Sequence, residues 1–143
     1  MTFLTNIVDG LAQLLDAAGV AVYRPDGVYG EGETGVTDTV MPDKPDRAVV
    51  LTAYDTANFQ QLTDCTVFLQ VRTRAGTDPR EVAALDDAVF GVLHNSGSHL
   101  FGTVRVVLIT RASAALLGAD PVGRFERTSN YTLRAHRPHP RLE

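Results

Sequence analysis

The sequence predicts an α+β fold in which two helices pack on one mostly antiparallel sheet. Apolar residues recur at three- and four-residue steps in two stretches, which is the period of an amphipathic helix. In several shorter stretches they alternate with polar residues, as in strands with one buried face. The stretches follow the order helix, three strands, helix, two strands. This order is typical of α+β domains.

The N-terminal stretch is predicted to be an amphipathic helix that Thr2 caps and Gly19 ends. A short strand with the sequence VAVYR is expected at residues 20–24. The following stretch, at about residues 25–46, contains four glycines and three prolines among its acids. We expect it to be a flexible acidic loop, because glycine and proline interrupt regular structure and the stretch is too long for an ordinary turn.

Two strands are predicted next, RAVVLTAYD at residues 47–55 and DCTVFLQVRTR at residues 64–74, joined by the loop TANFQQL. Because side chains alternate along a strand, Val67 and Leu69 share the core face of the second strand with Cys65. Arg72 and Arg74 fall on its opposite, polar face. Two arginines are therefore expected to project from the sheet just before the second helix.

The second helix is predicted to start at Asp78, which can cap it, followed by a proline at the first helical position and by Glu81, which can return the cap. Asp86 and Asp87 are expected on its outer face. The predicted buried stripe comprises Val82, Leu85, Val89, Val92 and Leu93.

Two strands complete the predicted fold, TVRVVLITR at residues 103–111 and RFERTSNYTLRAH at residues 124–136. Arg105 and Arg111 are expected on the same side as Val107 and Ile109. Residues 1–137 would form a single domain. Residues 138–143 are expected to be a mobile tail, because two prolines exclude regular structure and a charged terminus with little apolar anchoring tends to be disordered.

Composition limits the class of protein. A chain of 143 residues with 44% hydrophobic and 21% charged residues can bury one core without disulfides. No apolar run approaches the roughly 20 residues that span a bilayer, so we expect a soluble protein without membrane contact. The N-terminus lacks the features of a signal peptide, and the lone Cys65 suits a reducing cytoplasm.

Charge is unevenly distributed along the chain. Residues 1–64 contain three cations and ten acids, whereas residues 65–143 contain ten arginines and seven acids. This asymmetry suits self-association through two different surfaces, one acidic and one basic. The alternative is that folding mixes the two halves in space.

The sequence predicts no catalytic residue, cofactor site or metal site. The stretch GVYGEGETG is not a phosphate loop, because Glu31 and Glu33 would repel an anion. Cys65 shares the face of core residues and is expected to be a buried, inert thiol. His94 and His99 lack a third metal ligand nearby, and no serine lies in a nucleophile motif. We therefore expect that the protein is not an enzyme.

Several motifs follow one another in a recognisable order. The stretch LAQLLDAAGVAVYRP precedes the strand RAVVLTAYD, a strand at residues 67–74 turns into a helix ending VFGVLH, and GRFERTSNYTLRAHRP closes the order. In order and spacing these motifs resemble the tail terminator proteins of long-tailed bacteriophages, also described as minor capsid proteins. The resemblance extends from about Leu11 to Pro138, and Thr128 departs from it at a position where an aromatic or other residue is often seen.

The resemblance implies a structural virion protein assembled in the cytoplasm of the host bacterium. Its copies would close into a ring, expected to be a homohexamer, that caps the tail tube, ends tail polymerisation and joins the tail to the neck of the head. The implied partners are other copies of the chain, the tail tube protein and the connector or stopper proteins. DNA would pass through the lumen without specific binding, and no cofactor is implied.

In a closed ring, one surface patch meets a different patch on the neighbouring copy. We expect Arg72 and Arg74 to meet carboxylates of the neighbour. These carboxylates are those of Glu31, Glu33, Asp43 and Asp46. A solvated strand face is the alternative. Two other functions stay open: a head-completion or stopper protein of the head-tail connector, and a small ligand-binding or enzymatic domain with a concave pocket.

Overall fold

A computed structural model describes residues 1–58 and 64–137 of the chain, except the side chains of residues 55–58. It contains two helices and six strands. In chain order these are α1 (Phe3–Ala17), β1 (Thr34–Asp38), β2 (Arg47–Asn58), β3 (Asp64–Arg74), α2 (Pro79–Leu93), β4 (His99–Phe101), β5 (Val104–Ala119) and β6 (Phe125–His136).

All six strands form one sheet in the order β1-β2-β3-β6-β5-β4. β1 lies parallel to β2, and every other neighbouring pair is antiparallel. The predicted α+β class is therefore confirmed, whereas the sheet is mixed because the chain returns in the same direction after β1. The strand order also places β1 and β2, from the acidic half of the sequence, at one end of the sheet and β5 and β4, from the basic half, at the other.

The hydrophobic core lies between the helices and one face of the sheet. Ile7, Leu11 and Leu15 of α1 and Val89 and Leu93 of α2 are fully buried. From the sheet, the core takes the alternating residues of β3 and β6, which are Cys65, Val67, Leu69, Val71, Tyr131, Leu133 and Ala135. The period predicted for β3 is confirmed, because its intervening residues from Thr66 to Arg72 are half-buried or exposed.

The strand predicted at residues 20–24 does not form. Val22 makes only an isolated bridge to Gly35, donating from its N–H to the carbonyl of Thr34. Two residues later, Arg24 donates its backbone N–H to the hydroxyl of Tyr29 at 3.1 Å rather than to the neighbouring strand, so the pairing stops after one residue. The strand lies instead within the stretch expected to be a loop, because residues 34–38 pair with β2 as β1.

The last part of the sheet contains one more strand and a longer β5 than the sequence predicted. β4 is a short additional strand, and β5 continues eight residues beyond the predicted end at Arg111. A bulge between Val106 and Leu108 changes the alternation, so that Ile109 is buried while Val107 is half exposed. The prediction that Val107 and Ile109 share one face is therefore wrong, because a bulge inserts one residue into the two-residue period.

Helix α2 starts as predicted, with the carboxylate of Asp78 accepting the backbone N–H of Arg80 at 3.0 Å. Asp86, however, is buried rather than exposed. Its carboxylate accepts the hydroxyl of Ser129 at 2.6 Å and lies 3.4 Å from Arg111 and 3.7 Å from Arg127. β5 and β6 therefore supply the partners that allow an acid to face the sheet.

No helix in the described ranges is long and apolar enough to cross a membrane. The predicted tail at residues 138–143 and most of the predicted loop TANFQQL lie outside the described residues. The N-terminal part of that loop, residues 56–58, continues β2.

Candidate assembly surfaces

Two surfaces of this fold are candidates for assembly, and they lie at opposite ends of the sheet. The first is the acidic segment, defined here as residues 25–46, which contains the four acids predicted to lie at an interface. The second is the open edge of β5, which the sequence did not predict. Neither surface has the geometry of a catalytic site.

Arg74 holds the end of the acidic segment in place from within the same chain. Its buried guanidinium donates to the carbonyl oxygens of Asp43 at 3.2 Å, Pro45 at 2.7 Å and Asp46 at 2.8 Å. Burial, with the nearby charge of Arg124, lowers the pKa of Arg74. Arg74 was expected to project toward a neighbouring copy, but its fork of donors is used inside the chain.

Arg124 completes this attachment from the turn before β6. It donates to the carboxylate of Asp120 at 2.8 Å, the carbonyl of Asp43 at 2.6 Å and the carboxylate of Asp46 at 3.0 Å. Lys44 lies beside the same carboxylate, and hydrogen bonds from Lys44 and then Arg124 lower the pKa of Asp46. Arg74 and Arg124 together form what we term the arginine clamp.

Glu33 is bound at the other end of the acidic segment. Its carboxylate forms two hydrogen bonds with the Arg24 guanidinium, at 2.6 and 2.9 Å, and accepts the backbone N–H of Gly30. These hydrogen bonds, chiefly from Arg24, lower the pKa of Glu33 to about 2. Glu33 therefore fixes the fold of the segment.

The remaining predicted residues are more accessible. Arg72 donates to Glu126 across the strands at 2.6 Å, yet 44% of its side chain stays exposed. The side chain of Asp43 is 91% exposed and only 3.6 Å from Arg124. Glu31 is exposed in the turn before β1. That these groups meet a neighbouring copy stays a prediction.

A cleft of about 580 Å³ lies between the turn around Gly30 and the start of β2. The charged residues that line it are Glu31, Glu33, Lys44, Asp46, Arg47 and Glu81. Most are paired with each other or with Arg24, including Arg47 with Glu81 at 3.9 Å and Lys44 with Asp46 at 3.0 Å. Most charges of the cleft are therefore balanced within the subunit.

The residues considered for chemistry have structural roles. His94 accepts the backbone N–H of Arg111 at its Nδ1 atom, and the His99 ring lies 3.1 Å from the Ser96 hydroxyl. Cys65 is buried, as expected. Within residues 1–58 and 64–137, no group of three histidine, cysteine or acidic side chains is arranged to hold a metal ion.

The open edge of β5 comprises residues 112–119. On one side they pair with β6, and on the other side no strand covers them within the described chain, because β4 reaches only residues 104–106. The stretch contains no charged residue. Leu116 and Leu117 are 53% and 52% exposed, and Val122 in the following turn is 68% exposed. The pattern ASAALLGA lacks a two-residue period, so nothing in the sequence marked it as a strand.

The opposite end of the sheet also has an open edge. β1 covers β2 only from Arg47 to Leu51, and in the described chain no strand lies beside residues 52–58 on that side. Residues 24–47, beside this edge, contain six acids and three cations. Residues 94–119, at the β5 end, contain two arginines and no acid. Because Arg111 is paired with Asp86 of α2, the exposed cation at the β5 end is Arg105, whereas acids are in excess beside the β2 edge.

Known proteins share the sequence pattern and the fold of this chain. The family described as bacteriophage tail terminator protein matches residues 14–137. A chain in the structure titled "Virion of native gene transfer agent (GTA) particle" has a similar fold, with a TM-score of 0.66 and 16% sequence identity over 91% of this chain and 94% of that one. No curated protein matched the sequence. The family match covers most of the chain, and the chain therefore belongs to the bacteriophage tail terminator protein family.

Proposed function

We propose that copies of this protein close into a six-fold ring that caps the tail tube, ends tail polymerisation and joins the tail to the head. Family membership gives the chain a structural role in a virion tail. The observation that supports a ring is that β5 and β2 each leave an edge without a neighbouring strand in the described chain. These two edges differ from each other and lie at opposite ends of one sheet. Contacts between unlike patches propagate from copy to copy, and they close into a ring when the rotation permits.

In this proposal the ring has two kinds of partner besides its own copies. One face contacts the tail tube protein and the other contacts connector or stopper proteins, while DNA passes through the lumen without specific recognition. Proteins of this type act by position rather than by chemistry. The paired charges of the 580 Å³ cleft and the structural roles of His94 and His99 are consistent with that role.

Contacts within one chain reduce the number of residues that can form the predicted ion pairs between copies. Arg74, Glu33 and Asp46 shape the acidic segment, because each is already bound inside the subunit. The groups left to reach a neighbour are the exposed carboxylates of Glu31 and Asp43 and the half-exposed guanidinium of Arg72. In the ring, Arg72 would contribute one charged contact at the edge of the interface, where water still screens it.

The direct test is native mass spectrometry of the purified chain, alone and with polymerised tail tubes. We expect a ring-sized species, or a monomer that assembles only on tube ends. The substitution Arg72→Gln, which removes the charge but leaves a donor for Glu126, should lower the ring fraction by roughly threefold, and Arg72→Glu should lower it further; circular dichroism of both monomers checks that the fold is kept. Arg80→Glu is the matched control, since Arg80 lies on α2, is 90% exposed and, within the described residues, pairs with half-exposed Asp78.

A chain that stays monomeric and ignores tubes would contradict the proposal. Binding to connector proteins without binding to tubes would instead indicate a stopper protein. If the ring forms equally well from the Arg72→Glu chain, the ring remains and only the Arg72 contact is wrong.

A further inference from the structure

We propose that the ring is held together by strand addition, in which the open edge of β5 in one copy pairs with the open edge of β2 in the next. The inference rests on the proposed ring and names the segments that meet in it. Residues 112–119 of one copy and residues 52–58 of its neighbour would form main-chain hydrogen bonds, so that one sheet continues into the next.

The β5 edge has two bulges but lacks the side chains that usually protect an edge strand. Proteins normally protect such edges with lysine, proline or an inward-pointing charge, because unpaired N–H and C=O groups recruit other strands. Residues 112–119 contain none of these. They expose Leu116 and Leu117 instead, so the same stretch offers both main-chain partners and apolar surface.

The residues that would form the new hydrogen bonds can be assigned from the ladder. Ile109, which pairs with Leu133, directs its N–H and C=O away from β6, toward Ser96 and Asn95. Ala114 and Leu116 pair with Ser129 and Arg127. Both of these β6 residues lie an even number of positions from Leu133, so their main-chain groups point to the same side of β6 as those of Leu133. The main-chain groups of Ala114 and Leu116 therefore also point to the open side.

The same reasoning assigns the edge of β2. Leu51 pairs with Val71, and its carbonyl accepts the N–H of Thr39 on the side away from β3. Ala53 pairs with Leu69 and so has the same parity. The main chain of Ala53 therefore points to the open side of β2 and is the natural partner of Ala114 in a neighbouring copy.

Two further features favour a second copy as the occupant of each edge. The acidic segment borders the β2 edge, whereas residues 94–119 at the other edge contain no acid and expose the cation Arg105, their second arginine, Arg111, being paired with Asp86. Unlike edges therefore attract, and two copies of the same edge repel. Bulges after Arg111 and Leu116 also limit regular pairing to residues 113–116, which restricts the register.

Cysteine cross-linking tests the pairing. In the double variant Ala53→Cys with Ala114→Cys, the two thiols of one chain are separated by three strand spacings, roughly 14 Å, which a disulfide cannot bridge. A disulfide between them must therefore join two copies. We expect oxidation of the assembled protein to give a ladder of covalent oligomers. The control pair, Ala53→Cys with Val122→Cys, moves one thiol to the turn and should give no ladder.

A second variant tests the hydrogen bonds themselves. Ala114→Pro removes one N–H on the open side and leaves the pairing with β6 intact, so the monomer should fold as before by circular dichroism. The ring fraction should fall by about tenfold, as expected when interstrand hydrogen bonds are lost at each interface. Ala114→Ser, which keeps the backbone N–H at the same position, is the control and should assemble normally.

The outcomes separate this inference from the proposed function. If the unmodified chain forms rings while the Ala53/Ala114 pair gives no ladder and Ala114→Pro assembles normally, strand addition is wrong and the ring stands. If the unmodified chain forms no ring with or without tubes, the proposed function itself fails.

Discussion

At the scale of single residues, Arg74 was predicted to face a neighbouring copy, but it is buried and stabilises the fold of its own chain. Its guanidinium satisfies three buried or half-buried carbonyls of the 43–46 turn, an arrangement that lysine cannot reproduce with one ammonium group. We expect Arg74→Lys or Arg74→Met to lower the free energy of unfolding by roughly 1–3 kcal/mol, because carbonyls lose their donors. Urea denaturation measures this, with the exposed Arg80→Met as the control. Unchanged stability would show that water replaces the guanidinium without cost.

The pairing of Glu33 predicts a dependence of stability on pH. Arg24 and the Gly30 N–H lower the pKa of Glu33 from 4.5 to about 2. Because the folded pKa is below the unfolded one, the contribution is present above about pH 4.5 and is lost as pH falls toward 2. Glu33→Gln should therefore flatten the decline of the melting temperature in this window. Because the pair is exposed, the difference between the variants should shrink in high salt, and a difference that persists there would contradict a screened surface pair.

At the scale of elements, α1 and β4 are joined by a close contact at Gly10. A Cβ atom added at Gly10 would collide with the ring of Phe101, whose side chain is buried against the helix. Gly10→Ala improves helix propensity by about 1 kcal/mol, but the collision should outweigh that gain and lower the free energy of unfolding by roughly 1–2 kcal/mol net. Gly91→Ala in α2 is the control, because a Cβ there meets no atom within 4 Å. It should be neutral or stabilising by denaturant unfolding.

The elements also show what the sequence could and could not predict. Periodicity located both helices and the strands β2, β3 and β6, because each buries one face against the core. β1 was not predicted from the sequence, because its five residues TGVTD form a strand by pairing with β2 and show little alternation of apolar and polar residues. The extension of β5 was not predicted for a related reason. Neither of its faces is covered, so residues 112–119 do not alternate between apolar and polar side chains. The sequence also could not predict which residues contact one another, because Arg74 and Asp86 bind residues that are far away in the sequence.

At the scale of the whole molecule, the order of strands converts a charge asymmetry along the chain into one across the sheet. If unlike ends attract during assembly, the association rate should fall steeply as ionic strength rises, since the Debye length shrinks from about 10 Å at 0.1 M to about 3 Å at 1 M salt. Light scattering after dilution into buffers of increasing sodium chloride measures this rate. Arg105→Gln, which removes an exposed charge at the β5 end, should reduce the slope, whereas Arg80→Gln on α2 should not. A rate that is independent of salt would mean that apolar and main-chain contacts alone direct assembly, and that the charge separation limits like-edge contacts without steering unlike ones.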